Sequence, residues 1–282
     1  MIFKRIEGDF ADIVGEPGMF EGAARISYVD PTGKVWVLWG TEPIDSAGQE
    51  VFLLEGGWDG GEAAVDFTEQ ETVGRFGTGV RGWKVPAFDG ELSLWIRGDK
   101  RPTSQVWQRW QRAWSGFEPF GQLRVMSEAG VNRYANVQLR SFSKPEVFPR
   151  GASGIDHSVS YRCLDGCWYG EVERFTGEVN VAAGGDLPPL LRLRWDGRAT
   201  SVRFPAGNTV SLSSIGAERV INLDRGYMGQ VTDADGNVDS QSWSVLRGVI
   251  GGVEIAPGEV ANFKLGAGLT LEVTPRFLSP WR

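Results

Sequence analysis

The stretch Asp233-Ala-Asp235-Gly-Asn237-Val-Asp239 places oxygen-bearing side chains at alternate positions, as at the start of a calcium-binding loop. Such a loop needs glycine at its sixth position and a bidentate Glu at its twelfth. Here the glycine is fourth and the twelfth residue is Ser244. The stretch is therefore read as a turn through Asp235-Gly236, a dipeptide that favours hairpins, and no metal ligand is assigned. Cys163 and Cys167 stand in a C-x-x-x-C spacing, and the single histidine, His157, lies six residues before the first of them. Structural zinc needs four such ligands, so buried free thiols are the preferred reading. A three-ligand site from His157, Cys163 and Cys167, or a short strained disulfide, are the alternatives.

Hydrolytic chemistry finds little support. A Ser-His-Asp relay would have to run through His157, and no serine sits in a GxSxG elbow. Glu171 and Glu173, two apart on an expected strand, share a solvated face rather than forming a glycosidase pair. The glycine-rich stretches GGWDGG, GRFGTG and VIGGV lack the lysine or the strand–helix setting of phosphate loops. No catalytic and no cofactor-binding residue is assigned, and the chain is read as a non-enzyme that needs no cofactor. The twelve tryptophans are the remaining chemical signal. They suit core and subunit packing first and sugar stacking second, with Trp195 and Trp243 as the candidate platforms.

Composition sets the frame for these side chains. The chain has 282 residues, 41% of them hydrophobic and 23% charged, which suffices for two domains with real cores. Thirty-nine glycines and 14 prolines suit a chain that reverses direction often. The net charge of −7 is evenly spread: residues 1–150 hold 17 basic and 21 acidic side chains, residues 151–282 hold 12 and 15. Without a concentrated basic patch, a dedicated nucleic-acid surface is not expected. The first residues show no apolar run of signal-peptide length, and no window approaches the ~18 apolar residues of a membrane span. Two cysteines fit a chain made in a reducing cytoplasm.

The elements that must position all this are mainly strands. Arg25–Trp39 reads as a hairpin around Asp30-Pro31-Thr32-Gly33. Short strands follow at Val51–Leu54, Ala63–Phe67, Val80–Val85 and Leu92–Arg97, the last with Leu92, Leu94 and Ile96 on one face. One helix is expected near 104–115, capped by Thr103 or Ser104. Val106, Trp107, Trp110, Ala113 and Trp114 form its apolar stripe. Each Trp of that stripe can bury roughly 150–250 Å², so the helix must clamp onto a sheet or a neighbouring subunit. Strands at Leu123–Met126 and Arg133–Phe142 precede a Pro/Gly/Ser-rich stretch, Ser143–Asp156, taken as the domain boundary. Beyond it come expected strands at His157–Cys163, Leu190–Trp195, Val202–Phe204, Thr209–Leu212, Arg219–Leu223, Gly229–Thr232, Ser242–Leu246, Gly252–Ile255, Gly258–Leu265 and Gly268–Pro275. That spacing is the pattern of a β-sandwich. The fold class is all-β with one amphipathic helix, divided into domains 1–150 and 151–282.

In this order the segments become specific. RPTSQVWQRWQRAWSGFEPFGQLRV, GVNRYANVQLRSF, HSVSYRCLDGCWYGE, GDLPPLLRLRWDG, INLDRGYMGQVTDADGNV and IAPGEVANFKL together resemble the distal tail protein (Dit) family of siphophages. Residues 1–20 have no counterpart in this resemblance. It implies an N-terminal sandwich or barrel-like domain that builds a ring (1–150) and a galectin-like C-terminal sandwich (151–282). It also implies a virion structural role: a homo-hexameric ring at the tail tip, joining the tail tube protein to the baseplate hub, with the tape measure protein in its lumen. Phage DNA would pass through without sequence-specific contact, and no membrane is involved. A head-to-tail contact that closes by rotation makes such a ring, and open strand edges of one copy can be satisfied by the next. The alternative is a lectin-like tail protein that recognises host-wall glycans. The 23 arginines against 6 lysines fit a GC-rich genome such as that of an actinobacterial phage.

Overall fold

The computed structural model of the chain describes residues 23–40, 50–71, 78–98, 101–143, 154–250 and 252–281. The expectations for residues 1–20 and for most of the Ser143–Asp156 linker and the GRFGTG stretch lie outside the described residues. The described chain is mostly β, as expected. It divides into two compact units: Met1–Trp168 with Leu278–Arg282, and Tyr169–Phe277.

The first unit holds β1 (Ala23–Val29), β2 (Val35–Trp39), β3 (Val51–Gly60), β4 (Asp66–Glu71), β5 (Thr78–Lys84), β6 (Phe88–Arg97), α1 (Thr103–Ala113), β7 (Gly121–Ser127), β8 (Asn132–Phe142) and β9 (Gly154–Cys163). Seven strands form one antiparallel sheet in the order β2-β1-β7-β8-β9-β6-β3. Among the described residues its two end strands, β2 and β3, come alongside each other without a ladder between them. The hairpin at Asp30–Gly33 forms as expected. The Asp30 carboxylate accepts from Thr32 N (2.9 Å), Thr32 Oγ1 (2.6 Å) and Trp36 Nε1 (3.2 Å), and Gly33 takes the left-handed φ of 88° that glycine adopts without steric cost.

Period-two alternation gives the sheet one dry face. Ile26 and Tyr28 on β1, Leu123 and Val125 on β7, Ala135 and Val137 on β8, Val159 and Tyr161 on β9, and Leu92, Leu94 and Ile96 on β6 are all buried. Helix α1 supplies Val106, Trp110, Ala113 and, just past its end, Trp114 to the same core. The helix thus packs within its own chain. Its N-cap is Pro102, with no side-chain cap, rather than Thr103 or Ser104. Proline fixes the φ of the entering residue, and the amides of Gln105 and Val106 donate to its carbonyl.

The domain boundary falls later than the sequence suggests. β9, expected to open the second domain, pairs along its whole length with β6, from Arg97↔Gly154 to Phe88↔Cys163. A strand held by ten such pairs belongs to the first core, whatever the composition of the linker before it. The division therefore comes at 168/169, within the two-residue strand β10 (Trp168–Tyr169), instead of at 150/151.

The second unit is a sandwich. It contains β11 (Glu173–Phe175), β12 (Glu178–Ala182), β13 (Leu187–Trp195), β14 (Thr200–Arg203), β15 (Thr209–Leu212), β16 (Arg219–Asn222), β17 (Val231–Thr232), α2 (Ser240–Leu246), β18 (Val260–Leu265) and β19 (Leu269–Phe277). One sheet runs β11-β19-β13-β16-β17 and the other β12-β18-β14-β15. Between them lies a core of Leu191, Leu193, Ile221, Leu271 and Val273 against Val202, Val210, Phe263 and Leu265, among others.

Two expected strands here are corrected. Ser242–Leu246 lies within helix α2, because Asp239 caps it by accepting from Ser242 N at 3.0 Å. An N-cap of that kind satisfies an otherwise orphaned amide and outweighs a short apparent alternation. Gly252–Ile255 forms no strand, although Val253 N donates to Leu223 O. Strand β12 was not expected, since its sequence EVNVA is too polar to signal burial, and of the two glutamates expected on one strand only Glu173 lies in β11.

Candidate assembly surfaces

The residues with chemical potential are placed by the folding units and used there. Asp233 Oδ1 accepts from Asp235 N (3.0 Å) and Asn237 N (2.8 Å), and Oδ2 accepts from Asn237 Nδ2 (3.1 Å). That is the turn expected for Asp235-Gly236, and Gly236 has φ 87°. Asp239 caps α2 and also pairs with Arg219 at 2.8 Å. The Ser242 amide, then the Arg219 guanidinium, hold its carboxyl down to about 2. Both carboxylates are occupied by protein donors. Among the described residues, no three His, Cys, Asp or Glu side chains group as metal ligands would.

Cys163 and Cys167 are buried free thiols, not a disulfide. Cys163 Sγ lies 3.7 Å from the carbonyl oxygen of Cys167, and burial pushes its thiol up to about 12, so it stays protonated and unreactive. His157 faces elsewhere, packed between the rings of Trp107 and Phe142 with Ser143 Oγ 3.3 Å from Nδ1. The three are not assembled into one site. Glu171 and Glu173 are both exposed, with Glu173 at the start of β11. Trp195, nominated as a sugar platform, is 2% exposed and donates Nε1 to Arg198 O at 2.6 Å. Trp243 is half-buried, with Nε1 toward Met228 O. A buried indole offers no face for stacking, so the Trp195 nomination fails.

What the first unit does build is a stiff platform. Tyr28 stacks on Trp114 with centroids 4.0 Å apart and 5° between planes. Trp110 stands edge-on to Tyr28 (5.6 Å), to Trp36 (5.2 Å) and to Trp114 (5.6 Å). Each such pair adds about 0.5–1.5 kcal/mol beyond burial. The Tyr28 hydroxyl donates to Ala113 O (2.9 Å), and burial raises its pKa. Gly121 is required beneath it, since any Cβ there would collide with the Tyr28 ring. The helix is also tied down by charge: the Glu50 carboxylate, 8% exposed, accepts from Arg101 and Arg109 at 3.0 Å each. This clamp was invisible in the sequence, because its members are 51 and 59 residues apart.

Two features of the first unit face outward. β4 and β5 form a separate two-stranded ribbon, and every side chain of β4 is exposed. Phe67 and Trp83 sit directly opposite each other, 58% and 47% exposed. On the outer face of β1, β2 and β7 a cleft of about 170 Å³ is lined by Arg25, Ser27, Val35, Arg124, Met126 and Asn132. The second unit has its own cleft of about 510 Å³, whose lining includes Ser211, Arg219, Asp239, Gln241, Val245 and the edge of the buried Trp195.

No family model and no curated protein sequence matches this chain. Solved structures do. A crystal structure of SPP1 Dit (gp 19.1), described as a paradigm of the hub adsorption apparatus in phages infecting Gram-positive bacteria, is similar with a TM-score of 0.55 and 11% identity. That similarity covers 90% of this chain and 99% of that one. A chain of the phage P2 baseplate in its activated conformation with Ca is similar with a TM-score of 0.50 and 12% identity, covering 89% and 97%. The chain has a Dit-like all-β fold.

Proposed function

We propose that this chain is a structural protein of the tail tip of a long-tailed bacteriophage. Six copies close into a ring through their first units, and the ring joins the tail tube to the baseplate hub and leaves a channel for DNA. The second unit, a galectin-like sandwich, projects as a platform for other baseplate proteins. The tape measure protein occupies the lumen before ejection, and the ring itself catalyses nothing. The chain is made in the host cytoplasm and ends in the virion.

The observation that carries this reading is co-linearity. The likeness to a phage hub protein runs through both units and nearly the full length of both chains, which a chance resemblance between two sandwiches would not do. The division of labour fits the physics as well. A ring around a channel must resist deformation, and the first unit packs four aromatic rings and a doubly paired buried carboxylate under one helix.

The test is to raise antibodies against the purified chain and image labelled particles of the encoding phage by negative stain. Label confined to the tail tip, with six-fold averages of that disc, is the expected outcome. Particles whose tips stay unlabelled, or carry the chain as single copies, overturn the proposal.

A further inference from the structure

Resting on the ring reading, we infer that the β4–β5 ribbon of one copy docks into the Arg25/Arg124 cleft of the next, and that this is the contact that closes the assembly. The ribbon is incomplete by itself. Isolated two-stranded hairpins are at best marginally stable in water, and this one exposes its apolar side chains. Phe67↔Trp83 and Glu69↔Val80 are cross-strand pairs. The bulge between them leaves Phe67, Glu69, Val80 and Trp83 on a single face, with Val80 62% exposed. Glu71, the next residue on that side of β4, makes the face aromatic at its base and acidic toward its tip. Among the described residues both outer ladder edges of the ribbon are also unpaired, a feature that invites another chain.

The cleft has the opposite chemistry. Ser27 pairs with Arg124 and Arg25 with Met126 across β1 and β7, so all four share the outward face, opposite the buried Ile26, Leu123 and Val125. Arg25 has its Nε buried with no hydrogen-bond partner among the described residues. Arg124 is exposed and, among the described residues, is held by the neutral Gln122 alone, at 2.8 Å from Nη2. Arg25 as a whole is half-buried, so two guanidiniums without a carboxylate partner among the described residues line this cleft, and an incoming carboxylate would meet charge-assisted donors there. Val35 and Met126 beside it offer apolar wall to an aromatic ring.

An acidic aromatic ribbon and a basic, partly apolar cleft on different strands of one chain are two non-identical, complementary surfaces. That is the requirement of a heterologous contact that repeats head-to-tail, whereas a two-fold dimer would need one self-complementary patch.

Sedimentation velocity of the full chain tests it with two variants, Phe67→Ser/Trp83→Ser and Arg25→Glu/Arg124→Glu. Wild type self-associates, and each variant alone weakens association by about 30-fold or more, the scale of interface hot spots. An equimolar mixture of the two forms dimers and nothing larger, because only one intact ribbon and one intact cleft can meet. Should the cleft variant misfold, Arg124→Glu, at an exposed position, replaces it. Adding Glu69→Arg/Glu71→Arg to that chain restores association. Variants that associate like wild type overturn this contact and leave the ring reading standing. A mixture that stays monomeric overturns the pairing, and a wild type monomeric at every concentration overturns both.

Discussion

The two units solve the same problem, a closed β core, with different materials. The first is centred on large rings: Trp110 and Tyr28 are fully buried, and Trp36 and Trp114 nearly so. The second is aliphatic, with Trp195, Phe204 and Phe263 set among many Leu, Val and Ile side chains. A few large anchors concentrate stability at one place and fix a helix rigidly, while many small contacts spread it over two sheets. Their helices differ in the same sense. α1 buries a stripe and anchors a core, whereas α2 buries only Leu246 and serves as a capped turn. The concentrated unit also bears the exposed ribbon, and a rigid support of this kind is what a docking element needs.

The comparison breaks most visibly at Trp110. Calorimetry of the full chain should resolve two transitions, one per unit. Trp110→Ala should remove about 3–5 kcal/mol from the first alone. Leu193→Ala, at a fully buried position of the second unit, should cost about 2–4 kcal/mol and move only the other transition. If both variants shift both transitions together, the units do not fold independently and the contrast is lost.

Acid sharpens it further. His157 is 2% exposed, and burial pushes its pKa from the usual 6.5 down to about 4. The unfolded chain therefore binds a proton that the folded one refuses. This group's contribution is complete above pH 6.5 and is lost as pH falls toward 4, on the order of 3 kcal/mol at most. Asp239 in the second unit is depressed from 3.8 to about 2, so its contribution survives until pH falls below about 4 and is lost by about 2. Between pH 6.5 and 4 the first unit should weaken while the second holds, and His157→Phe should flatten that slope. A pH-independent first transition over this range would show the imidazole to be solvated.

How much of this was legible in the sequence depended on range. The Asp30–Gly33 hairpin, the tryptophan stripe of α1 and the Asp235-Gly236 turn are written in neighbouring residues, and they formed as read. The failures share one cause: the deciding partner was distant or competed locally. β9 was assigned by the linker before it, yet its partner β6 lies some sixty residues earlier. Residues 242–246 alternate like a strand, yet the side chain of Asp239 captures their first turn. Trp195 looked available because tryptophan is versatile, and only the opposing sheet reveals that it is core. The Glu50 clamp and the Arg25/Arg124 cleft leave no local trace at all, since charged residues scattered at such separations look like ordinary surface.

A smaller effect tests the clamp. Glu50→Gln keeps the shape of the side chain but removes the charge facing Arg101 and Arg109. Both guanidiniums are more than a third solvated and can rehydrate, so the loss should be about 1–2 kcal/mol, confined to the first transition and reduced by high salt. A larger loss would mean that the arginines are trapped against Trp36, over which Arg109 lies at 5.7 Å.

The least effect of all is expected at Asp233, and there the size of the effect decides between two chemistries. If Asp233–Asp239 is a turn, Asp233→Ala removes acceptors for two amides at an exposed position and lowers stability only slightly. It acts on the second transition only. Adding millimolar calcium then leaves that transition where it was, because the oxygens already accept protein donors and Asp239 is committed to Ser242 and Arg219. A calcium loop behaves in the opposite way: the ion stabilises the folded state by mass action, and the Asp233→Ala chain loses that response. A calcium-dependent rise of the second transition, absent in the variant, would therefore replace the turn with a metal site. It would also give the aliphatic unit an anchor as concentrated as the tryptophans of its neighbour.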